Sequence, residues 1–179
     1  MLEILDTTLR DGEQTAGVSF NHGEKLSIAK MLIEEAQVDR IEIASARVSA
    51  GELEAANDIC QWAKRNGHLG KVEVLGFVDG GVSIDWICKA GGKVINMLAK
   101  GSLHHVTEQL RKTPEEHADD IAANIAMAVK RGLRVNLYLE DWSNGMKDSR
   151  DYVYYMVDRL QSEPIERFML PDTLGILNP

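Results

Sequence analysis

Short β-branched runs and longer segments of helical period take turns along all 179 residues, and this alternation restricts what the chain can fold into more than any other feature. The runs predict strands at residues 2–6, 40–44, 72–78, 94–98, 133–139 and 165–170. The intervening segments are amphipathic: over residues 24–37, Leu26, Ala29, Ile33 and Ala36 fall near one face at spacings of three and four. Strand, helix and strand in repeated succession imply a parallel sheet with right-handed crossovers, because antiparallel neighbours need only tight turns.

Capping chemistry marks where these helices start and stop. Asn21 with Glu24 and Ser49 with Glu52 have the spacing in which a cap and a glutamate satisfy orphan amides reciprocally. Thr113-Pro114-Glu115-Glu116 adds a proline at the first helical position, where its missing N–H costs nothing. Gly67, Gly91 and Gly132 sit where helices should end, in the left-handed conformation that favours glycine.

Two architectures satisfy this pattern, an open doubly wound sheet and a (β/α)8 barrel. Each predicted strand has a polar side chain at or just beyond its C-terminal end: Asp6 and Asp11, Glu42, Asp79, Asn96, Glu140 and Asp172. Six such ends suit a ring better than a crevice served by two or three strands. The expected fold class is therefore α/β, a TIM (β/α)8 barrel truncated to about six strands and five helices. Residues 1–179 would form the N-terminal part of one catalytic barrel domain, with strands seven and eight absent. Its strands should run in sequential order with the helices on the outer face.

Composition removes several functional classes. With 44% hydrophobic and 27% charged residues the chain is a folded one. A formal charge of −8 and no dense basic run argue against nucleic acid. No apolar stretch reaches the roughly 18 residues of a membrane span, and residues 1–6 lack the basic and apolar regions of a leader. A cytoplasmic protein without membrane partners is expected. Cys60 and Cys88 fall in predicted helices with no metal-type spacing and are read as buried reduced thiols.

The run Asp6-Thr7-Thr8-Leu9-Arg10-Asp11-Gly12-Glu13-Gln14 puts charges of both signs directly after the first strand. Asp11 is a suitable oxygen ligand for a divalent cation, Arg10 offers a fixed cationic fork to an oxyanion or carboxylate, Gly12 permits a tight turn, and Gln14 can donate and accept. An Arg and an Asp paired in a solvated loop is the competing reading. Glu42 lies between Ile41 and Ile43, so alternation turns it away from both, to a barrel's lumen, where it needs Arg10, a metal or a proton. An interior salt bridge would account for it equally. Glu140-Asp141 and Asp172-Thr173 extend the polar ring, with a helix cap as the alternative for Asp172.

Other groups give weaker signals. His22, His68, His104, His105 and His117 read as solvated surface histidines, the adjacent pair having rings directed apart. Lys100, after the fourth strand, could meet an anionic substrate. Trp142, Tyr152, Tyr154 and Tyr155 read as helix packing and loop anchors.

The Asp6 to Gln14 run resembles the metal-dependent barrel superfamily of isopropylmalate, homocitrate and citramalate synthases and hydroxymethylglutaryl-CoA lyase. Ile41-Glu42-Ile43-Ala44-Ser45 is similar to its second-strand motif, Leu139-Glu140-Asp141 to its fifth and Pro171-Asp172-Thr173-Leu174-Gly175 to its sixth. The form Arg-Asp-Gly-Glu-Gln resembles the synthases, where lyases more often carry Leu in place of Glu. The resemblance implies a Claisen-type condensation of acetyl-CoA with a 2-oxo acid, held through its keto oxygen and carboxylate by a divalent metal (magnesium or manganese, or zinc). By position it makes Asp11 a metal ligand, Arg10, Glu42 and Glu140 catalytic, and Arg10, Gln14 and Thr173 substrate-binding. A 2-isopropylmalate synthase of leucine biosynthesis is the first expectation; citramalate or homocitrate synthase, a lyase, and a non-catalytic partial barrel are the alternatives. The family's His-x-His pair on strand seven and its ligand on strand eight have no counterpart in these residues, so the segment alone is expected to be inactive. Its first and sixth strands would be apolar edges that seek another chain, and a homo-oligomer is expected.

Overall fold

The computed structural model of the chain describes residues 2–45, 47 and 49–177. The expected domain span 1–179 thus includes Met1, Ala46, Val48, Asn178 and Pro179, which lie outside the described residues. Six strands are present: β1 (Leu5–Asp6), β2 (Arg40–Ile43), β3 (Val72–Phe77), β4 (Val94–Lys100), β5 (Arg134–Glu140) and β6 (Ile165–Met169). They form one sheet in the order β1-β2-β3-β4-β5-β6, and the β1–β2, β2–β3 and β5–β6 pairs are parallel. An order without reversal belongs to the (β/α)8 barrel and not to the doubly wound sheet, and the chain carries six strands of that architecture. β1 is shorter than predicted, since only Leu5 and Asp6 are paired with β2, at Arg40 and Ile41.

The helices are α1 (His22–Lys30), α2 (Ala50–Arg65), α3 (Val82–Ala90), α4 (Pro114–Lys130), α5 (Trp142–Asp148) and α6 (Arg150–Leu160). The described residues hold six α-helices where five were expected, because the connection after β5 contains two; a π-helical segment, His105–Leu110, also lies between β4 and α4. Ser149 separates them: its backbone is non-helical (φ −149°, ψ 49°), and its hydroxyl donates to the Gly145 carbonyl and accepts from the Leu103 amide. α1 continues into a widened turn over Met31–Glu35, and Gln37 beyond it has a left-handed φ of 57°.

The predicted caps are largely in place. Asn21 and Glu24 form the reciprocal box, and so do Thr113 and Glu116. Ser49 accepts from the Glu52 amide, but the Glu52 carboxylate is bonded to Lys25. Gly67, Gly91 and Gly132 have φ of 76°, 81° and 76°, as their helix-end positions require.

The chain groups into two compact units. The first comprises Met1–Gly76, Val82–Asn96 and Arg131–Leu133. In it Ile41, Ile43, Val72 and Val74 of the strands are buried, as are Ala55, Ala56, Ile59 and Ala63 of α2 and Ile84 and Ile87 of α3. Gly76 is required here, because a Cβ would lie 2.6 Å from the Ile95 side chain. The second unit comprises Phe77–Gly81, Met97–Lys130 and Arg134–Pro179. Its core contains Met97 and Ala99 of β4, Ile121 and Ile125 of α4, Leu137 and Leu139 of β5, and Val153, Met156 and Leu160 of α6.

Candidate active site

In the first unit the chain turns sharply after β1, where the Thr7 carbonyl accepts from the amides of Arg10, Asp11 and Gly12 at 3.0, 2.8 and 3.1 Å. This turn does not need a glycine, contrary to expectation: Gly12 is absent from the left-handed region and a Cβ there would meet nothing nearer than 3.8 Å. The turn presents Arg10, whose Nε donates to Glu42 Oε2 at 2.8 Å and whose Nη1 donates to Asp11 Oδ1 at 2.7 Å. Asn96 Nδ2 of β4 donates to the other Glu42 oxygen at 2.8 Å. Glu42 is fully buried, so these bonds are what make its charge tolerable. Alternation along β2 explains its direction: Ile43 packs with Ala55, Ala56 and Ile59 of α2, which sends Glu42 to the opposite face.

The same face holds a second layer. Glu73 is in register with Glu42 and is also buried, and Arg40 Nη1 donates to Glu73 Oε1 at 2.9 Å. This pair was not anticipated, although Val72-Glu73-Val74 repeats the apolar, acidic, apolar pattern of Ile41-Glu42-Ile43.

The loop beyond Arg10 is anchored from behind. Glu13 Oε1 accepts from the Phe20 amide at 3.2 Å, and Oε2 pairs at 2.8 Å with Lys25, which also bonds Glu52. Lys25 is 4% exposed. Burial pushes its pKa down, but the bonds to Glu13 and Glu52 outweigh that and hold it above the ordinary lysine value. Glu13 therefore fixes the loop, a role its sequence gave no sign of. The Asp11 side chain is 64% exposed and Gln14 is exposed. Among the described residues no group of three or more His, Cys, Asp or Glu converges as a metal site. Asp11 by itself is one carboxylate already bonded to Arg10, and these residues alone do not fit a tightly held ion.

In the second unit β4 and β5 end in a facing pair, Lys100 Nζ bonded to Glu140 Oε2. The next residue, Asp141, has a left-handed φ of 65° and is buried. Its amide donates to Thr173 Oγ1 at 3.0 Å, its Oδ1 accepts from Asn144 at 2.7 Å, and its Oδ2 lies 3.5 Å from His105 Nε2. Thr173 is thereby tied to the end of β5. Asp172 accepts from the amides of Ile176 and Leu177 at 3.1 and 2.9 Å, and the described residues after it form a turn, not the helix that its capping alternative required. A cleft of about 400 Å³ adjoins these strand ends, lined by Ser102, His104, Thr107, Asp141, Asn144 and Asp148 among others.

Three expectations for lesser residues need correction. His117 is 2% exposed, not a surface histidine, and its Nε2 accepts from the Lys100 amide at 3.1 Å. Burial above all, with the Lys112 charge next, lowers its pKa to about 4, so the ring is neutral and keeps that acceptor. His105 is likewise engaged, by Asp141. Cys88 is only half-buried, whereas Cys60 is 2% exposed and burial raises its thiol to about 12. Tyr152, read as helix packing or a loop anchor, is buried and ties down a strand end, its hydroxyl donating to the Lys100 carbonyl at 2.7 Å.

The HMGL-like family model matches residues 1–179. The chain belongs to the HMGL-like family. It is 33% identical to the (R)-citramalate synthase CimA of Methanocaldococcus jannaschii over 180 residues, 100% of this chain and 35% of that protein. It is also 33% identical to a protein named "Probable 2-isopropylmalate synthase" in Ignicoccus hospitalis, over 99% of this chain and 42% of that one. The chain thus spans well under half the length of these relatives. In fold it resembles the hydroxymethylglutaryl-CoA lyase of Bacillus subtilis, with a TM-score of 0.78 at 21% identity over 99% of this chain and 60% of the lyase. No helix among the described residues is long and apolar enough to cross a membrane.

Proposed function

We propose that the protein containing this chain is an acyltransferase that condenses acetyl-CoA with a short 2-oxo acid, and that residues 1–179 belong to its catalytic barrel domain. The observation that carries the reading is the Arg10 network. A guanidinium oriented by a buried Glu42, which is itself held by Asn96, is a preorganised cation of the kind that stabilises a developing alkoxide. Arg10 supplies that charge as the enolate of acetyl-CoA adds to the keto carbon. Glu42 positions Arg10, Glu140 is the carboxylate available for proton transfer, and Thr173 and Gln14 bind substrate. Asp11 is offered as one ligand of a divalent metal, which when bound would polarise the keto oxygen. The synthase form Arg10-Asp11-Gly12-Glu13-Gln14 favours condensation over cleavage, and the Glu13 to Lys25 anchor gives that glutamate a physical use which a leucine could not serve.

Relatives named as citramalate and isopropylmalate synthases stand at the same identity, so identity does not choose the acceptor. We take 2-oxoisovalerate first and pyruvate second, the former placing the protein in leucine biosynthesis. The test is free-thiol release from acetyl-CoA by the full-length protein with magnesium or manganese, against 2-oxoisovalerate, pyruvate and 2-oxoglutarate. Release with the first is expected. Cleavage of a hydroxyacyl-CoA with no release in any of the three mixtures would replace the synthase with a lyase.

A further inference from the structure

The first unit holds a cleft of about 290 Å³ at the N-terminal ends of its strands, whereas the Arg10 turn follows the C-terminal end of β1. The lining residues place it there: Leu69 lies in the turn that leads into β3, Lys93 immediately precedes β4, and Leu133 immediately precedes β5. Lys64, Lys93 and Arg131 line the cleft, and no Asp or Glu does. Arg131 Nη2 donates to Asp85 Oδ1 at 2.7 Å, whereas among the described residues neither the Lys64 nor the Lys93 ammonium has an ion-pair partner. Residues 60–71, 85–93 and 131–133, which build the cleft, carry six of the chain's 20 Lys and Arg but one of its 28 Asp and Glu. In a protein of formal charge −8 that is a concentrated positive patch. Helix ends do not account for it. A helix C-terminus presents about half a negative charge, so the ends of α2 and α3, and of the helix before Arg131, leave the patch positive even with Asp85.

The floor has a different character. Leu69, Leu133 and the thiols of Cys60 and Cys88 make it largely apolar. Gly91 brings backbone without a side chain, and a Cβ there would stand 3.9 Å from Cys60 Cβ, in the space above that thiol. We propose that this cleft binds a small phosphate ester, with its dianionic head on Lys64, Lys93 and Arg131 and its short organic body on the apolar floor. Lysine ammoniums act as point charges towards a phosphate, and the guanidinium adds a planar fork. A singly charged carboxylate would leave the three cations repelling one another, which a dianion relieves. The volume equals that of roughly ten waters, room for a phosphate with a short chain. Chemistry in a (β/α)8 barrel takes place at the C-terminal strand ends. The ester is therefore an effector and not a substrate, whichever reaction the barrel performs.

The probes are glycerol 3-phosphate and inorganic phosphate, added to the full-length protein, with potassium chloride at matched ionic strength as the control. Binding is measured by calorimetry. Covering of the cleft is read from the rate at which iodoacetamide alkylates Cys88, followed on the peptide that carries it. Cys88 is half-buried and Cys60 only 2% exposed, so Cys88 is the reporting thiol. Glycerol 3-phosphate should slow that alkylation several-fold at saturation, and chloride should leave it unchanged. Lys64→Gln combined with Lys93→Gln should raise Kd at least about tenfold and abolish the protection. Both side chains are exposed, so the unfolding midpoint of the double variant should match that of the parent. Absence of protection, protection that chloride reproduces, or a Kd unmoved by the double substitution would each overturn the site. Protection by inorganic phosphate alone would overturn the ester assignment.

Discussion

The two units solve the same problem, a carboxylate beside a cation at the end of a strand, in opposite ways. In the first unit Glu42 is sealed: it has no exposed surface, and Arg10 and Asn96 take one oxygen each. In the second Glu140 is open, with Lys100 as a partner that solvent can reach. Burial makes the first pair obligatory, since a lone buried carboxylate would cost several kcal/mol, and leaves the second exchangeable. A fixed cation suits the stabilisation of charge that appears in a transition state.

The largest expected effect comes from breaking the sealed pair. Arg10→Met strands the Glu42 charge and should cost about 3–5 kcal/mol in denaturant unfolding, with Glu42→Gln in the same chain restoring much of it. Thiol release should fall at least about a hundredfold, comparable to loss of one oxyanion donor. Lys100→Met, which breaks the open pair, should change stability by less than about 1 kcal/mol. Equal losses in the two variants would erase the distinction between the units.

The next effect is confined to the second unit and depends on pH. His117 is held neutral, with its pKa lowered to about 4 from the ordinary 6.5. The unfolded chain therefore binds the proton first, so the contribution is fully present above pH 6.5 and is lost as pH falls towards 4. Its size is on the order of 3 kcal/mol. Unfolding free energies measured between pH 7.5 and 4 should show this decline, and His117→Gln, which keeps an acceptor for the Lys100 amide, should flatten it. An unchanged slope in that variant would assign the acid sensitivity elsewhere.

The same contrast marks what the sequence could and could not disclose. Glu42 was legible because apolar neighbours on both sides of an acid in a strand leave it one direction to point, and because Arg10 follows the preceding strand. The strand order was legible because successive crossovers advance one way. His117 was misread since a histidine in a first helical turn carries no mark of burial; what buries it is the packing of α4 beside the end of β4, and no local pattern records that. Lys25 was passed over for a similar reason, because a lysine on a helix face is ordinarily solvated, and only the approach of Glu13 and Glu52 from two other segments makes burial tolerable. The extra helix after β5 turns on the backbone of one serine, a weaker signal than a glycine or proline would have been.

The smallest expected effect uses a feature the units share. Asn21 with Glu24 at the start of α1, and Thr113 with Glu116 at the start of α4, form the same reciprocal box at exposed positions. The cap accepts from the Glu24 amide at 3.0 Å in one and from the Glu116 amide at 3.2 Å in the other, so each satisfies one orphan donor of its helix. Replacing either cap by alanine leaves that donor to water and releases the glutamate from its return bond. Asn21→Ala and Thr113→Ala should each cost about 1 kcal/mol, asparagine at the upper end because it is the stronger cap. Pro114 softens the loss at Thr113 by presetting the first helical φ, which should keep α4 intact when α1 frays. The measurement is the denaturant midpoint of each variant with its slope unchanged. A loss at Thr113 clearly exceeding that at Asn21 would mean that the cap of α4 also steadies the bond from the Lys100 amide to His117, and the open pair would then depend on its helix as the sealed one depends on its core.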